Sequence, residues 1–127
     1  MGRSSLHDLS VRELGHLIEK REVSPVEVVE AHLKRIETLG PRLCSFITLV
    51  ADQAMERALQ CEKEIMAGQY RGPLHGIPFG LKDLYYVKGI RNSSGTRIFD
   101  QFVPDFDSTV ARRLLDAGAI LMGKLNL

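Results

Sequence analysis

The stretch that decides the fold is DSTVARRLLDAGAILMG, residues 107–123, because its apolar pattern changes period partway along. Asp107 can cap a helix, Val110 and Leu114 would face inward, and a glycine can end the helix. The next five residues, AILMG (119–123), are apolar at every position, which is typical of a strand buried on both faces. The stretch therefore predicts a helix followed by a central strand.

A second strand is predicted at GIPFGLKD, residues 76–83. Lys82 stands out there because lysine is seldom fully buried. Side-chain alternation puts Lys82 on the same face as Pro78 and Gly80, which would leave room beside its stem. Burial disfavours the charged form of an amine, and a neutral amine can act as a general base. On the residues alone, a lysine that reaches solvent or pairs with a carboxylate stays the more common alternative.

The N-terminal third predicts two helices that begin with capping boxes. The cap and its acidic partner are Ser10 and Glu13 in the first helix, and Ser24 and Glu27 in the second. Pro25 suits the first helical position, and Gly40 followed by Pro41 predicts the end of the second helix. The residues expected to face inward are Val11, Leu14 and Ile18, then Val26, Val29, Leu33 and Ile36.

A short strand, SFITLV (45–50), and a third helix, DQAMERALQCEKEIMAG (52–68), are predicted next. Asp52 can cap this helix, and Gly68 can end it. Its inward residues are expected to be Ala54, Ala58, Cys61 and Ile65. Helices that alternate with short apolar strands indicate the α/β class.

About three strands against four helices is a low count, since sheets average five or six strands. We therefore expect the chain to be the N-terminal part of a larger domain. If so, the AILMG and GIPFGL strands should expose apolar surface in the isolated chain.

Composition excludes several classes of function. The 127 residues are 44% apolar and 26% charged with a net charge of +1, which is typical of a globular domain and predicts no direct binding of nucleic acid. No apolar run is long enough to predict a membrane span. Cys44 and Cys61 lack the spacing of a zinc or redox pair, so free thiols in a cytoplasmic protein are expected. The histidines show no metal-ligand spacing, and no metal or cofactor is predicted.

Two segments together closely resemble the amidase signature family: LHGIPFGLKDLYYVKGIRNSSGT (74–96) and FVPDFDSTVARRLLDAGAILMGKLNL (102–127). The family pattern includes G-[IV]-P-x-x-x-K-D, then V-K-G, a hydroxyl-rich segment ending in glycine, and D-[AS]-T-V-x-x-R-L-x-x-A-G-A-x-L-x-G-K-x-N. The matching residues are Gly76, Ile77, Pro78, Lys82, Asp83, Val87, Lys88, Gly89, Gly95, Asp107, Thr109, Val110, Leu114, Ala117, Gly118, Ala119, Leu121, Gly123, Lys124 and Asn126.

The resemblance implies an α/β fold with a mixed sheet flanked by helices, of which residues 1–127 would be the N-terminal fragment. Its segments would be helical at 8–40, strand–helix at 45–68, the lysine-bearing strand at 76–83 and helix–strand at 107–123.

The resemblance also implies a chemistry. Family members hydrolyse or transfer carboxylic amides through a serine, a second serine preceded by a cis peptide bond, and a lysine. The lysine of the P-x-x-x-K-D element falls on Lys82, while Asp83 would fix local structure. Both serines are expected downstream, outside these residues. The implied partners are a small-molecule amide, the rest of the amidase domain, and either a second copy of the chain or the partner subunits of an amidotransferase.

Two other functions stay open on the sequence. The chain could be part of the glutaminase-type subunit of a tRNA-dependent amidotransferase, or an inactive scaffold or binding module.

Three features that imitate catalytic motifs are set aside. Ser93 and Ser94 in NSSGT look like a nucleophile loop, but serine beside glycine is primarily a turn former. GAILMGKL (118–125) resembles a phosphate-binding loop, but leucine stands where Ser or Thr must bind magnesium. His75 lies just before the lysine-bearing strand, and a structural role is expected for it because no positioned nucleophile is visible.

Overall fold

A computed structural model describes residues 5–127 and has the predicted α/β architecture. Its elements are a 3₁₀ turn (Leu6–Asp8), helices α1 (Val11–Glu19), α2 (Pro25–Leu43), α3 (Ala51–Met66) and α4 (Thr109–Asp116), and strands β1 (Phe46–Leu49), β2 (Pro78–Lys82) and β3 (Ile120–Leu125). Within residues 5–127, no helix combines the length and the apolar character that crossing a bilayer requires.

The three strands form a mixed sheet with β3 in the centre. The strand order is β1-β3-β2, with β1 antiparallel and β2 parallel to β3. One face packs Ile120 and Met122 against α2 and α3, and the other packs Leu121 against α4 and the loop after β2. This explains why the AILMG run is apolar at every position: a central strand covered on both faces needs no polar side.

The capping boxes of α1 and α2 form as predicted, but one helix end differs. Helix α2 continues through Gly40 and Pro41 to Leu43. Proline so near a helix end removes only one backbone hydrogen bond, and the helix closes when the Cys44 N–H, in left-handed backbone, donates to the Gly40 carbonyl at 2.8 Å. The predicted inward position of Val11 is also wrong, because half of its surface is exposed.

The predicted caps of α4 and α3 are both wrong. Ser108 rather than Asp107 caps α4, because the Asp107 carboxylate accepts the backbone N–H of Lys88 at 2.8 Å instead. Helix α4 buries Ala111, and the predicted inward position of Val110 is wrong, because Val110 is exposed. Asp52 is not a cap, because α3 begins after Val50 without a side-chain cap and Asp52 lies in its first turn. The predicted inward residues of α3 are all buried.

The expected apolar surface lies elsewhere than predicted. Residues 119–123 are buried, and residues 76–81 are buried or half-buried, because the sheet and its helices cover both strands. The exposed apolar side chains are concentrated instead in the irregular segment after β2, namely Leu84, Tyr85, Ile98, Phe99, Phe102, Val103 and Phe106. Hydrophobic periodicity identifies helices and strands but not irregular segments, and this surface was therefore not predicted from the sequence.

Gly123 permits β1 and β3 to pair closely. It lies opposite Leu49, and a Cβ there would be 2.2 Å from the Thr48 carbonyl oxygen.

We expect Gly123→Ala to lower the free energy of unfolding by about 3 kcal/mol, measured by urea denaturation, because the two backbones must separate. Gly40→Ala is the control: nothing lies within 4 Å of its Cβ position. Helix propensity and crowding before Pro41 oppose each other there, so a change below about 1 kcal/mol is expected. Equal losses would contradict this account.

Candidate active site

Lys82 is the last residue of β2, and its side chain reaches the surface of the described chain. Its Nζ donates to the backbone carbonyl of Asn126 at 3.1 Å. The expected burial of Lys82 is therefore not found within residues 5–127. The predicted free space beside it is filled as well, because the Leu125 side chain packs against Gly80, only 3.0 Å from where a Cβ of residue 80 would lie.

The carbonyl that accepts from Lys82 is itself held in place. The Asn126 N–H donates to the Ser45 carbonyl at 2.8 Å, and its Nδ2 donates to the Cys44 carbonyl at 3.1 Å. Both contacts tie the end of β3 to the start of β1. The amine of Lys82 thus lies against a backbone segment that is held by residues next to β1, the strand at the other edge of the sheet.

Asp83 joins three segments behind Lys82. Its buried carboxylate accepts the backbone N–H of Ser93 at 3.0 Å, the Ser93 hydroxyl, and the Lys124 ammonium at 3.2 Å. Its carbonyl accepts the Ser94 N–H at 3.0 Å, and its own N–H donates to the Leu125 carbonyl at 3.1 Å. These contacts agree with a structural role for Asp83 and leave no free carboxylate oxygen for chemistry.

Lys124 is fully buried, and sequence reasoning missed its importance. Its Nζ donates to Asp83 Oδ1 and to Asn92 Oδ1, the latter at 2.6 Å. Burial lowers the pKa of Lys124, while its hydrogen bond and attraction to the Asp83 carboxylate act against that shift. Part of the signal was available, because a lysine in a strand that is buried on both faces needs buried acceptors. The sequence does not show which acceptors these are, since Asp83 and Asn92 lie 41 and 32 positions away.

The NSSGT turn is part of the same hydrogen-bond network, the Asp83 network, which consists of Asp83, Asn92, Ser93 and Lys124. Ser93 is buried and its hydroxyl donates a hydrogen bond to the Asp83 carboxylate, while Asn92 Nδ2 donates to Ser94 Oγ at 3.0 Å. Ser94 has a left-handed backbone with φ of 50°, as a turn requires. In this arrangement the two serines organise a turn, and the described hydrogen bond of Lys82 goes to a carbonyl and not to either hydroxyl.

His75, Glu64 and Cys61 bring three potential metal ligands together. The hydrogen bonds nevertheless argue against a metal. The backbone N–H of Arg71 donates to His75 Nδ1 at 3.0 Å. His75 Nε2 must therefore carry the ring proton, and it donates to the Glu64 carboxylate at 2.9 Å. The guanidinium groups of Arg57 and Arg71 lie 3.7 Å and 3.1 Å from the same carboxylate, and a cation would face two positive charges. His75 is a structural donor.

We expect this histidine to make stability depend on pH. Burial lowers the pKa of His75 below its ordinary value of about 6.5, since the desolvation outweighs the hydrogen bond and charge of Glu64. The unfolded chain therefore takes up a proton first. The stability is complete above about pH 6.5 and declines as the pH falls below it, by at most about 1.4 kcal/mol per pH unit.

Urea denaturation at about pH 7.5, 6.5 and 5.5 measures this dependence. His75→Gln, which cannot titrate, should flatten the profile, and His16→Gln on the exposed face of α1 should leave it as in the original chain. A profile that is the same with and without His75 would refute the assignment.

Comparison with known proteins gives this geometry a family. A sequence model of the Amidase family matches residues 27–127. A glutamyl-tRNA(Gln) amidotransferase subunit from Heliobacterium modesticaldum is 39% identical over 122 residues, or 96% of this chain. The corresponding protein of Trichormus variabilis is 45% identical over 118 residues, or 93% of this chain. The chain spans about a quarter of the length of these relatives.

Solved structures agree over nearly the whole chain. Native peptide amidase from Stenotrophomonas maltophilia matches with a TM-score of 0.88 and 37% identity, covering 94% of this chain and 25% of that enzyme. A bacterial aryl acylamidase of the amidase signature family matches with a TM-score of 0.89 and 29% identity, covering 97% of this chain and 26% of that enzyme. With the family model matching well over half of the residues, the chain belongs to the amidase signature family.

Proposed function

We propose that this chain supplies the lysine of a serine–serine–lysine relay that hydrolyses carboxylic amides to a carboxylate and ammonia or an amine. Lys82 is the proton acceptor. The observation that carries the proposal is the position of Lys82: the P-x-x-x-K-D lysine ends a parallel strand, with its amine at the surface and its backbone fixed by the Asp83 network.

The chemistry that Lys82 would perform follows from its ammonium group and its surroundings. A lysine must lose its proton before it can accept one. Protein that shields the amine from water disfavours its charged form, so the proton is lost more easily. The neutral amine would take a proton from a bridging serine, which takes one from the nucleophile. Backbone N–H groups would stabilise the resulting oxyanion. In the described chain the surface side of Lys82 is open, so the rest of an amidase domain can cover it there.

A chimera tests the proposal. This chain replaces the homologous quarter of the Stenotrophomonas maltophilia peptide amidase, which it matches over 94% of its residues. We expect the chimera to release ammonia from a peptide amide. The 127-residue chain alone should release none, since Lys82 donates to a carbonyl and has no serine partner within the described residues. A folded chimera without activity, or an active isolated chain, would contradict the proposal.

A second candidate is the glutaminase-type subunit of a tRNA-dependent amidotransferase. The curated relatives favour it, because the two that match at 39% and 45% identity are glutamyl-tRNA(Gln) amidotransferase subunits. This function predicts that the chain's parent protein purifies with partner subunits, and that it releases ammonia from glutamine only in their presence. A protein that purifies alone and hydrolyses simple amides would favour the hydrolase instead.

A further inference from the structure

We propose that Lys124 is a positioning residue for Lys82: its buried ion pair with Asp83 fixes the register of β2 on β3 and thereby the face on which the Lys82 amine emerges. The proposal rests on the proposed function only for its consequence in catalysis. The placement of Lys82 can be measured without any amidase activity.

The register of β2 on β3 is not uniform, which creates the need for such a device. Phe79 pairs with Leu121 and Gly80 pairs with Gly123, so one residue of β3 is skipped between them. After this irregularity Leu81 pairs with Lys124 and Lys82 with Leu125. A slip of one residue would send every later side chain of β2 to the opposite face. Lys82 lies in the part of β2 that follows the irregularity.

The ion pair acts where the register must be fixed. Asp83 follows Lys82 directly, and its carboxylate is bound by Lys124, which pairs with Leu81 across the two strands. The Asp83 N–H also donates to Leu125. One link between side chains and one between backbones therefore hold residue 83 to neighbouring residues of β3. In a slipped register the Lys124 ammonium would lose its carboxylate inside a site that excludes water.

Asn92 adds a third fixed point. Its Oδ1 accepts from Lys124 Nζ at 2.6 Å, and its N–H donates to the Phe102 carbonyl at 2.9 Å. The ammonium thus binds β2 through Asp83 and the 92–95 turn through Asn92. Buried ion pairs contribute little to net stability compared with apolar packing, and their best attested use is to specify register. That use fits the position of Lys124.

The Lys82 amine has its own contact with the same strand end. Its acceptor, the Asn126 carbonyl, lies two residues after Lys124 on the chain. When the Lys124–Asp83 pair is removed, we expect β2 to lose its fixed position relative to that carbonyl. The amine is then released from its hydrogen bond and becomes more available to a reagent.

Amine acylation measures this release. The 127-residue chain is treated with a limiting amount of an acetyl N-hydroxysuccinimide ester, and acetylation at each lysine is quantified by peptide mass spectrometry. The readout is the rate at Lys82 divided by the rate at Lys88, an exposed lysine in the same molecule. We expect Lys124→Met to raise this ratio at least about threefold. Lys63→Met, an exposed position on α3, is the matched control and should leave the ratio unchanged.

A general loss of stability would affect both lysines and is separated by far-ultraviolet circular dichroism. If Lys124→Met is not folded, the double variant Asp83→Asn with Lys124→Met replaces it. That variant also lacks the ion pair but leaves no unpaired buried charge, and the same rise is expected. A ratio in the folded variant that is unchanged or lower would overturn the proposal.

The chimera supplies a second readout. There Lys124→Met should lower kcat at least about tenfold with KM changed less than about threefold, because the base is misplaced while the amide site is intact. Equal changes in both would contradict positioning. If the labelling ratio rises but the chimera without substitutions is inactive, the proposed function fails and the positioning role stands.

Discussion

Lys82→Ala lowers the rate of amide hydrolysis by the chimera about 10²–10⁴-fold, the range that a positioned general base contributes. The loss falls on kcat, because the amine is proposed to act on the relay serine and not to hold the substrate. Steady-state release of ammonia measures it. The protein should fold normally, since the described side-chain contact of Lys82 is one hydrogen bond to the Asn126 carbonyl at the surface.

Two control variants separate proton transfer from charge. Lys82→Arg keeps the positive charge and the donors but cannot accept a proton, so it should be as inactive as Lys82→Ala. Lys88→Ala removes the neighbouring exposed lysine of the V-K-G element and should retain activity within about threefold. Activity of Lys82→Arg close to that of the original chimera would show that Lys82 supplies only charge, and the general-base role would be wrong.

Local signals in the sequence predicted part of the local structure, although the cap at Asp52 and the end of α2 at Gly40 and Pro41 were predicted wrongly. The capping boxes at Ser10 and Ser24 form because cap and partner lie three residues apart on the chain. The central strand was recognisable because burial on both faces leaves a continuous apolar run. The class, the family and the position of the lysine at the end of a strand followed from these features and from the family pattern.

The sequence could not predict which distant residues form hydrogen bonds with a given polar side chain. Asp107 looked like a cap for α4, but the Lys88 N–H, 19 positions away, takes its carboxylate. Lys124 and Asp83 are 41 positions apart, so no periodicity relates them. The burial expected for Lys82 depends on whatever covers the end of β2, and within residues 5–127 nothing does.

Removal of one partner of the Lys124–Asp83 pair is expected to have a large effect on the stability of the protein. The two side chains of the pair expose 0% and 3% of their surface, so removal of one partner leaves the other charged and buried. We expect Lys124→Met to lower the free energy of unfolding by about 3–5 kcal/mol. Asp83→Asn should cost a similar amount. Urea denaturation at neutral pH measures both, and the exposed Lys63→Met change should stay within about 0.5 kcal/mol.

The double variant decides what the pair does. Asp83→Asn with Lys124→Met removes both charges with little change in volume, so it should be more stable than either single variant. The coupling free energy then isolates the penalty of the unpaired charge. Losses that simply add would mean that Ser93 and Asn92 satisfy each partner alone, and the pair would not be needed to hold β2 on β3. A double variant that recovers most of its stability yet keeps a raised Lys82 acylation ratio would separate the two roles. An apolar replacement would then suffice to fold the chain, and the ion pair would be required to place the lysine.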